Sequence, residues 1–342
     1  DGVDYANGVA TDINDADPEI NQRLVVGSVW TDDSDLRAAC WIVSPGGSSL
    51  QSTLWLLPGG QVATGINRDG DVVGCGIVNG QAVGLYWDSP SQTPLALRPL
   101  HGHTSSEAYA INQDGVICGV SRSASAYDAV AWRVYRVDSE LVVFGPLRLG
   151  DSPSGLEPFD RTAAVKLNDN VGGIAEVVGT GFRQIDNGES VGEAVSWTVA
   201  ANADGSLSVV SGPQLLGFGE YSTATGINFV GAVCGQSGDH AVVTNGNTVV
   251  QLPEPSNASG CFRAVDLNDA GEVLGDGIVV VRKGLTSQHA VVWRLVEGSW
   301  TVIDLAAFFP RTLPGSSRAF GINNAGEVVG DVGTKPFLLV PK

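Results

Sequence analysis

The chain has no methionine, four histidines and five cysteines, and only 16% of its 342 residues are charged. An odd cysteine count with no Cys-x-x-Cys pair excludes a disulfide scaffold and leaves a thiol unpaired within the monomer. Lys and Arg number 19 against 37 Asp and Glu, a net charge of −18 with no basic cluster. That argues against nucleic acid or anionic lipid as a partner. No apolar run approaches the roughly 18 residues of a membrane-spanning helix, so no membrane insertion is expected. Long 3.6-residue periodicity with helix caps is missing too. A start at Asp1 without methionine fits a removed targeting segment or a shortened start.

What is abundant is glycine (45), together with eight tryptophans, a profile of many short strands and tight turns. Seven segments share Ala, any residue, a small or polar residue, Ile or Leu, then Asn. They are Ala10-Thr11-Asp12-Ile13-Asn14, Ala63-Thr64-Gly65-Ile66-Asn67, Ala108-Tyr109-Ala110-Ile111-Asn112 and Ala164-Val165-Lys166-Leu167-Asn168. Ala224-Thr225-Gly226-Ile227-Asn228, Ala264-Val265-Asp266-Leu267-Asn268 and Ala319-Phe320-Gly321-Ile322-Asn323 complete the set. After each comes a short apolar stretch and a glycine: Gly27, Gly74, Gly119, Gly179, Gly235, Gly275 and Gly330. An Ala-Val-x-Trp element or a variant follows, ending at Trp41, Trp87, Trp132, Trp197 and Trp293, with Thr244 and Leu339 in the fifth and seventh copies. A fourth apolar run closes all copies but the last.

The chemistry of each element points to strands. Asn with Gly three residues on is hairpin-turn chemistry, since Asn bonds local backbone and Gly accepts a positive φ. Small residues on one face of the first strand suit crowding near an axis, and paired Val or Ile in the second suit burial on both faces. Four strands per repeat match a propeller blade; a solenoid has a shorter, steadier period. The expectation is an all-β, seven-bladed β-propeller of four-stranded antiparallel blades in one domain, 1–342. The repeats run approximately 6–53, 54–98, 99–148, 149–215, 216–252, 253–305 and 306–342. The last blade lacks its outer strand unless Asp1 to Tyr5 supply it from the other terminus.

The pattern resembles the HAF-repeat family of bacterial extracellular proteins, whose repeat runs Ala-x-x-Ile-Asn-x-x-Gly-x-Val-Val-Gly and then His-Ala-Phe-x-Trp. Gly65-Ile66-Asn67 with Val72-Val73-Gly74, and Gly321-Ile322-Asn323 with Val328-Val329-Gly330, carry the first part. His240-Ala241-Val242 and His289-Ala290-Val291-Val292-Trp293 carry the second. Other copies depart from it, with Gln81, Asp128 and Glu193 at the His position and Val in place of Phe. The resemblance implies export and a propeller-like fold, and no catalytic residue.

Few residues suggest chemistry. His101-Gly102-His103 offers two metal ligands without an adjacent third. His240 and His289 read as repeat-position side chains. Asp32-Asp33-Ser34-Asp35 can offer oxygens to Ca²⁺ but lacks the glycine and glutamate of an EF-hand loop, so a solvated acidic loop is the preferred reading. Cys118 and Cys234 take strand positions held elsewhere by apolar residues and read as inert thiols. Gly74-Cys75-Gly76 lacks the following helix that would hold a phosphate, and no G-x-S-x-G or assembled Ser/His/Asp set occurs.

Function is therefore expected in variable loops on the face joining second to third strands and blade to blade: 28–37, 98–107, 148–161, 180–192, 253–261, 276–288 and 305–317. The candidate binding residues there are Asp32, Asp33, Asp35, His101, His103, Phe159, Asp160, Phe182, Asp186 and Phe309. The expectation is a secreted or cell-surface, non-catalytic binding or structural module with a protein or glycan partner or self-association. No cofactor is expected beyond calcium at the acidic loop. The rival is a propeller-type glycan lyase or hydrolase with acids at the channel mouth. Two or three acids with a His or Arg in one deep pocket would favour the enzyme; fold does not choose.

Overall fold

Each copy of the repeat folds into one antiparallel sheet, and the seven sheets form a seven-bladed β-propeller. The computed structural model describes all residues except 1–6, 16–20, 32–34, 47–48, 154, 170, 186–187, 310–314 and 342. Blade 1 comprises β1 (Gly8–Ile13), β2 (Arg23–Trp30), β3 (Leu36–Gly46) and β4 (Ser49–Leu56). Blade 2 comprises β5 (Gly60–Ile66), β6 (Val72–Val78), β7 (Gln81–Trp87) and β8 (Leu95–Leu97), and blade 3 β9 (Ser105–Ile111), β10 (Val116–Arg122), β11 (Tyr127–Val137) and β12 (Glu140–Arg148). Blade 4 holds β13 (Arg161–Leu167), β14 (Ile174–Gln184), β15 (Ser190–Ala201) and β16 (Leu207–Glu220), and blade 5 β17 (Ser222–Ile227), β18 (Val233–Ser237), β19 (His240–Asn245) and β20 (Thr248–Gln251). Blade 6 holds β21 (Ala258–Leu267), β22 (Val273–Arg282), β23 (Leu285–Val296) and β24 (Ser299–Asp304); blade 7, among the described residues, has β25 (Ser317–Ile322), β26 (Val328–Val332) and β27 (Lys335–Leu339). The first strands of successive blades touch in an unbroken ring, blade 7 against blade 1 included.

The repeat sequence explains the blade. Every first strand carries a β-bulge between the motif alanine and the third motif residue, as at Ala10/Asp12 and Ala164/Lys166. The recurrent glycine of the second strand lies opposite that bulge. A Cβ on Gly179 would sit 1.9 Å from the Ala163 carbonyl oxygen, and one on Gly119 would sit 2.0 Å from that of Glu107. No other residue fits there. In the turn that follows, Gly70, Gly115, Gly231, Gly271 and Gly326 adopt positive φ and donate to the carbonyls of their own motif asparagines.

Seven hydrophobic clusters fill the seven boundaries between blades. Trp87, Trp132, Trp197 and Trp293 are wholly buried in four of them, and each indole N–H donates to a carbonyl of the preceding crossover: Pro58, Arg98, Gly150 and Pro253. Hydroxyls add polar locks. Ser106, Thr162, Ser222 and Ser317 accept from the third-strand amides of Gly84, Ala129, Ala194 and Ala290 in the preceding blade. Thr11, Thr64 and Thr225, at their bulges, donate to Ala63, Ala108 and Ala264 of the next blade.

Several expectations need correction. The breaks placed at 53/54 and 215/216 fall inside β4 and β16. The segment 276–288 is a strand pair joined at Lys283 and Gly284, and much of 180–192 is likewise paired, because β-branched runs such as Val279-Val280-Val281 continue the sheet. Asp1 to Tyr5 lie outside the described residues.

Blade 7 meets blade 1 without an interleaved strand among the described residues. Gly8 donates to Thr334, Asn323 Nδ2 to the Asn14 carbonyl at 3.1 Å, and Asn324 N–H to Asp15. A buried ion pair crosses the same boundary: Arg23 contacts Glu327 at 2.6 and 2.8 Å, with side chains 8% and 2% exposed. Removing one partner of a buried pair leaves an uncompensated charge, so Arg23→Met is expected to cost about 3–5 kcal/mol in urea unfolding. The double change Arg23→Met with Glu327→Met should recover most of that loss. A single change within experimental error of the parent would show that the pair does not hold the ring closed.

Candidate functional site: the central channel

The motif asparagines line the channel at the end reached by the short turns. Each side-chain oxygen accepts an amide from the start of its own second strand, as from Asp71 at 2.9 Å, Val116 at 2.9 Å and Glu327 at 3.0 Å. The side-chain amide then crosses to the next blade. Asn67, Asn112, Asn228, Asn268 and Asn323 donate to the backbone carbonyls of Asn112, Asn168, Asn268, Asn323 and Asn14, and Asn14 donates to that of Arg68. Among the described residues this hand-off is made at six of the seven boundaries, all but the fourth-to-fifth.

One residue further on, a second ring forms the mouth: Asp15, Arg68, Gln113, Asp169, Phe229, Asp269 and Asn324. The backbone N–H of Arg68 donates to Gln113, of Gln113 to Asp169, of Phe229 to Asp269, of Asp269 to Asn324 and of Asn324 to Asp15, at 2.8 to 3.2 Å. The accepting side chains, Asp15, Gln113, Asp169, Asp269 and Asn324, thus join neighbouring blades.

Deeper in the channel the third motif residue points around the ring at the next blade. Four copies hold Gly or Ala there, and three hold Asp12, Lys166 and Asp266. Each charged residue is followed around the ring by a glycine: Gly65, Gly226 and Gly321 respectively. A Cβ on Gly226 would lie 3.0 Å from the Asp266 Cα, so the inner strands pass very close. Asp12 accepts from the amides of Ile13 (3.0 Å) and Ile66 (3.1 Å), and Asp266 from that of Ile322 (3.3 Å). Lys166 Nζ spans the channel, 3.3 Å from Asp266 and 3.8 Å from Asp12.

Burial opposes the charge of Lys166, but Asp12 and Asp266 outweigh it and raise its pKa. The ammonium is fixed in its protonated form and is no base or nucleophile near neutrality. Burial raises the Asp266 pKa against the attraction of Lys166. The cavity at this end measures about 170 Å³, below the roughly 300 Å³ where small-molecule pockets begin. It has room for a few waters.

The other channel end carries a polar cluster in blade 3. Tyr109 donates to Glu107 at 2.7 Å, and Arg122 contacts Glu107, Tyr109 and the Tyr127 hydroxyl at 3.0 to 3.2 Å while lying over the Tyr127 ring. Burial and the hydrogen bond to Glu107 raise the Tyr109 pKa, so the phenol keeps its proton. In blades 6 and 7, Arg263 and Arg318 are engaged by the buried carboxylates of Asp276 and Asp331.

The residues singled out from sequence do not converge. Asp32, Asp33 and Asp186 lie outside the described residues. Asp35 is exposed and 3.5 Å from Arg37. His103 turns inward to Ser121 (2.9 Å) and Asp128 (3.4 Å), whereas His101 is exposed. Phe159 is a core residue, buried beneath Arg183, and Phe309 is half-buried and packs edge-on against Phe337 at the margin of the blade 6–7 core. Asp160 caps the Gln184 amide and Phe182 lies under Arg161. His240 and His289 pair with Glu254 and Asp304. Among the described residues no group of three or more His, Cys, Asp or Glu is placed to hold a metal. All five cysteines are free; burial pushes Cys40 and Cys118 up to about 12. The channel residues Asp12, Lys166 and Asp266 were missed because the third motif position reads as merely small or polar. The signal was there: charge at a position otherwise held by glycine and alanine.

Lys166→Met is expected to cost about 1–3 kcal/mol at pH 7, less than for a sealed pair because a quarter of the lysine side chain meets solvent. Without the lysine, native Asp266 takes up a proton at higher pH than the unfolded chain does. The deficit should therefore shrink as pH falls from 7 toward about 4. Urea titrations of both proteins at pH 7 and 5 check this. A deficit that grows on acidification would contradict it.

No family model matches the chain, and no curated protein does. Among solved structures it is similar to the β-propeller domain of the Trilobed protease from Pyrococcus furiosus, described as having an open velcro topology, with 11% identity, 98% of this chain and 93% of that one covered, and a TM-score of 0.51. A mannose phosphorylase from Leishmania mexicana, solved with phosphate, aligns at 10% identity over 89% and 84% of the two chains, but its TM-score of 0.29 supports no argument. The first likeness bears on fold alone.

Proposed function

We propose that the chain is a non-catalytic propeller module, exported or displayed at the cell surface, which meets a protein or glycan partner on its rim. The observation that carries this reading is the state of the channel. Its carboxylates and its lysine are bonded to neighbouring blades or to one another, in a cavity of about 170 Å³. Catalytic groups need reach to a substrate, whereas here the lysine is held protonated between two carboxylates that accept from backbone amides of their own and the neighbouring blades. The rim offers contact area instead. The β22–β23 hairpin exposes Ile278, Val280, Val281 and Leu285, an apolar set of the kind found at protein contacts. The resemblance to the HAF repeat agrees with export.

The glycan-cleaving alternative is favoured by one feature, the Glu107–Tyr109–Arg122 cluster. Both readings are tested by incubating the protein with a panel of neutral and acidic polysaccharides, following new reducing ends and unsaturated uronates. No product is expected from either the parent or Glu107→Gln. Turnover by the parent that Glu107→Gln abolishes would replace the module by an enzyme.

A further inference from the structure

At the His position of the repeat, blade 5 differs from its sisters. In blade 6 that residue, His289, lies 2.7 Å from Asp304 at the end of β24, with a side chain 9% exposed. In blade 3 the same position holds Asp128, buried against Arg148. In blade 5 His240 makes a similar pair, 2.9 Å from Glu254, but its side chain is 49% exposed. The outer strand β20 is only four residues long, and beside it the pair faces an open cleft. That cleft measures about 460 Å³ and is lined by His240, Gln251, Leu252, Pro253, Glu254 and Trp300. It falls within the roughly 300–1,000 Å³ of small-molecule sites, which the channel does not.

The walls of this cleft are fixed by the fold. Leu252 is buried and donates its amide to Ala241 at 2.9 Å, and the Pro253 carbonyl accepts from the Trp293 indole at 2.7 Å. Those two bonds hold the crossover that presents Glu254. On the opposite wall β24 pairs Trp300 with Leu295 and Val302 with Trp293, turning both onto the face packed against blade 5. Trp300 is half-buried, in contact with the blade 5–6 core and also lining the cleft. The buried Trp87, Trp132, Trp197 and Trp293 each give their indole N–H to a carbonyl. Trp300 meets no such acceptor among the described residues.

An indole beside a carboxylate, an imidazole and a carboxamide matches a ligand with one apolar face and a hydroxylated edge. A pyranose ring has that form. Its C–H face stacks on the electron-rich face of an indole, and its hydroxyls donate to Glu254 and accept from the Trp300 N–H. Because hydroxyls both donate and accept, they also suit Gln251 and the Nε2 of His240 in either protonation state. Charge narrows the class further. Glu254 stands in the cleft and the chain carries a net −18, which disfavours uronates and sulfated sugars.

We infer that the cleft between blades 5 and 6 binds a neutral oligosaccharide. One sugar ring stacks on Trp300, with its hydroxyl edge turned to Gln251 and to the His240–Glu254 pair. This rests on the reading of the chain as a rim-binding module, and it gives that module a site and a ligand class. A preformed cleft held by backbone bonds loses little freedom when the sugar enters.

The probes are cellopentaose, xylopentaose and chitopentaose, each titrated into the intact chain to about 10 mM, enough to fill most of a site with millimolar Kd. Indole N–H resonances of the eight tryptophans report binding, and Trp300→Phe assigns the one that matters. A saturable shift of the Trp300 resonance is expected with at least one sugar. By calorimetry the affinity should fall about tenfold in Trp300→Ala, and about tenfold in the double variant Gln251→Ala with Glu254→Ala. Trp300 also touches the core, whereas Gln251 and Glu254 are exposed, so the double variant should keep the parent's thermal transition. No saturable shift with any of the three sugars would overturn the inference and leave a protein as the rim partner. Sugar binding that leaves Trp300 unmoved and ignores the double variant would remove this site while sparing the module. Saturation by tetramethylammonium in place of the sugars would assign the cleft to a cation. The module reading falls separately, on glycan turnover.

Discussion

The structure depends on a side-chain amide that serves two blades at once. Each motif asparagine closes its own turn with its oxygen, and in six copies its nitrogen is handed to the backbone of the neighbouring blade. A hydrogen bond of this kind contributes about 1 kcal/mol net, but leaving a buried partner unmade costs about 1–3 kcal/mol. That asymmetry favours the closed ring over any opened form. The bulge, the glycine facing it and the alanine beside it all serve to bring seven inner strands close enough for the exchange.

The same constraint accounts for the channel. Inner strands this close leave room at the third motif position for little beyond glycine, so a charged residue is accommodated only where the next blade supplies one. Asp12, Lys166 and Asp266 obey that rule and satisfy each other across the axis. The channel is a bonded centre, and exposed apolar surface lies outside it, on the extended hairpin of blade 6.

Most of the fold was legible because its constraints are local and repeated. Asn67 with Gly70, Val72-Val73 before Gly74, and Trp87 after them state a turn, a buried strand and a core anchor within one short stretch. Where one copy departs from the others, legibility fell. Val279 to Val281 read as loop but form strand, since nothing in the other copies marks an extended hairpin. Phe159 and Phe309 read as surface aromatics, but the crossovers that carry them fold back between blades, which buries the first and packs the second against the core. Arg23 and Glu327 are 304 residues apart, and no repeat position announces their pairing.

The central claim is that side chains close the ring at the boundary of blades 7 and 1, making all seven blades one cooperative unit with no interleaved strand among the described residues. Native-state hydrogen exchange on the unaltered protein tests this most directly. The second-strand amides of blade 7, Val328–Val332, should exchange through the same global opening as those at the core of blade 4's second strand, Val177 to Gly179. Exchange of blade 7 through a separate opening of much lower free energy would contradict the account.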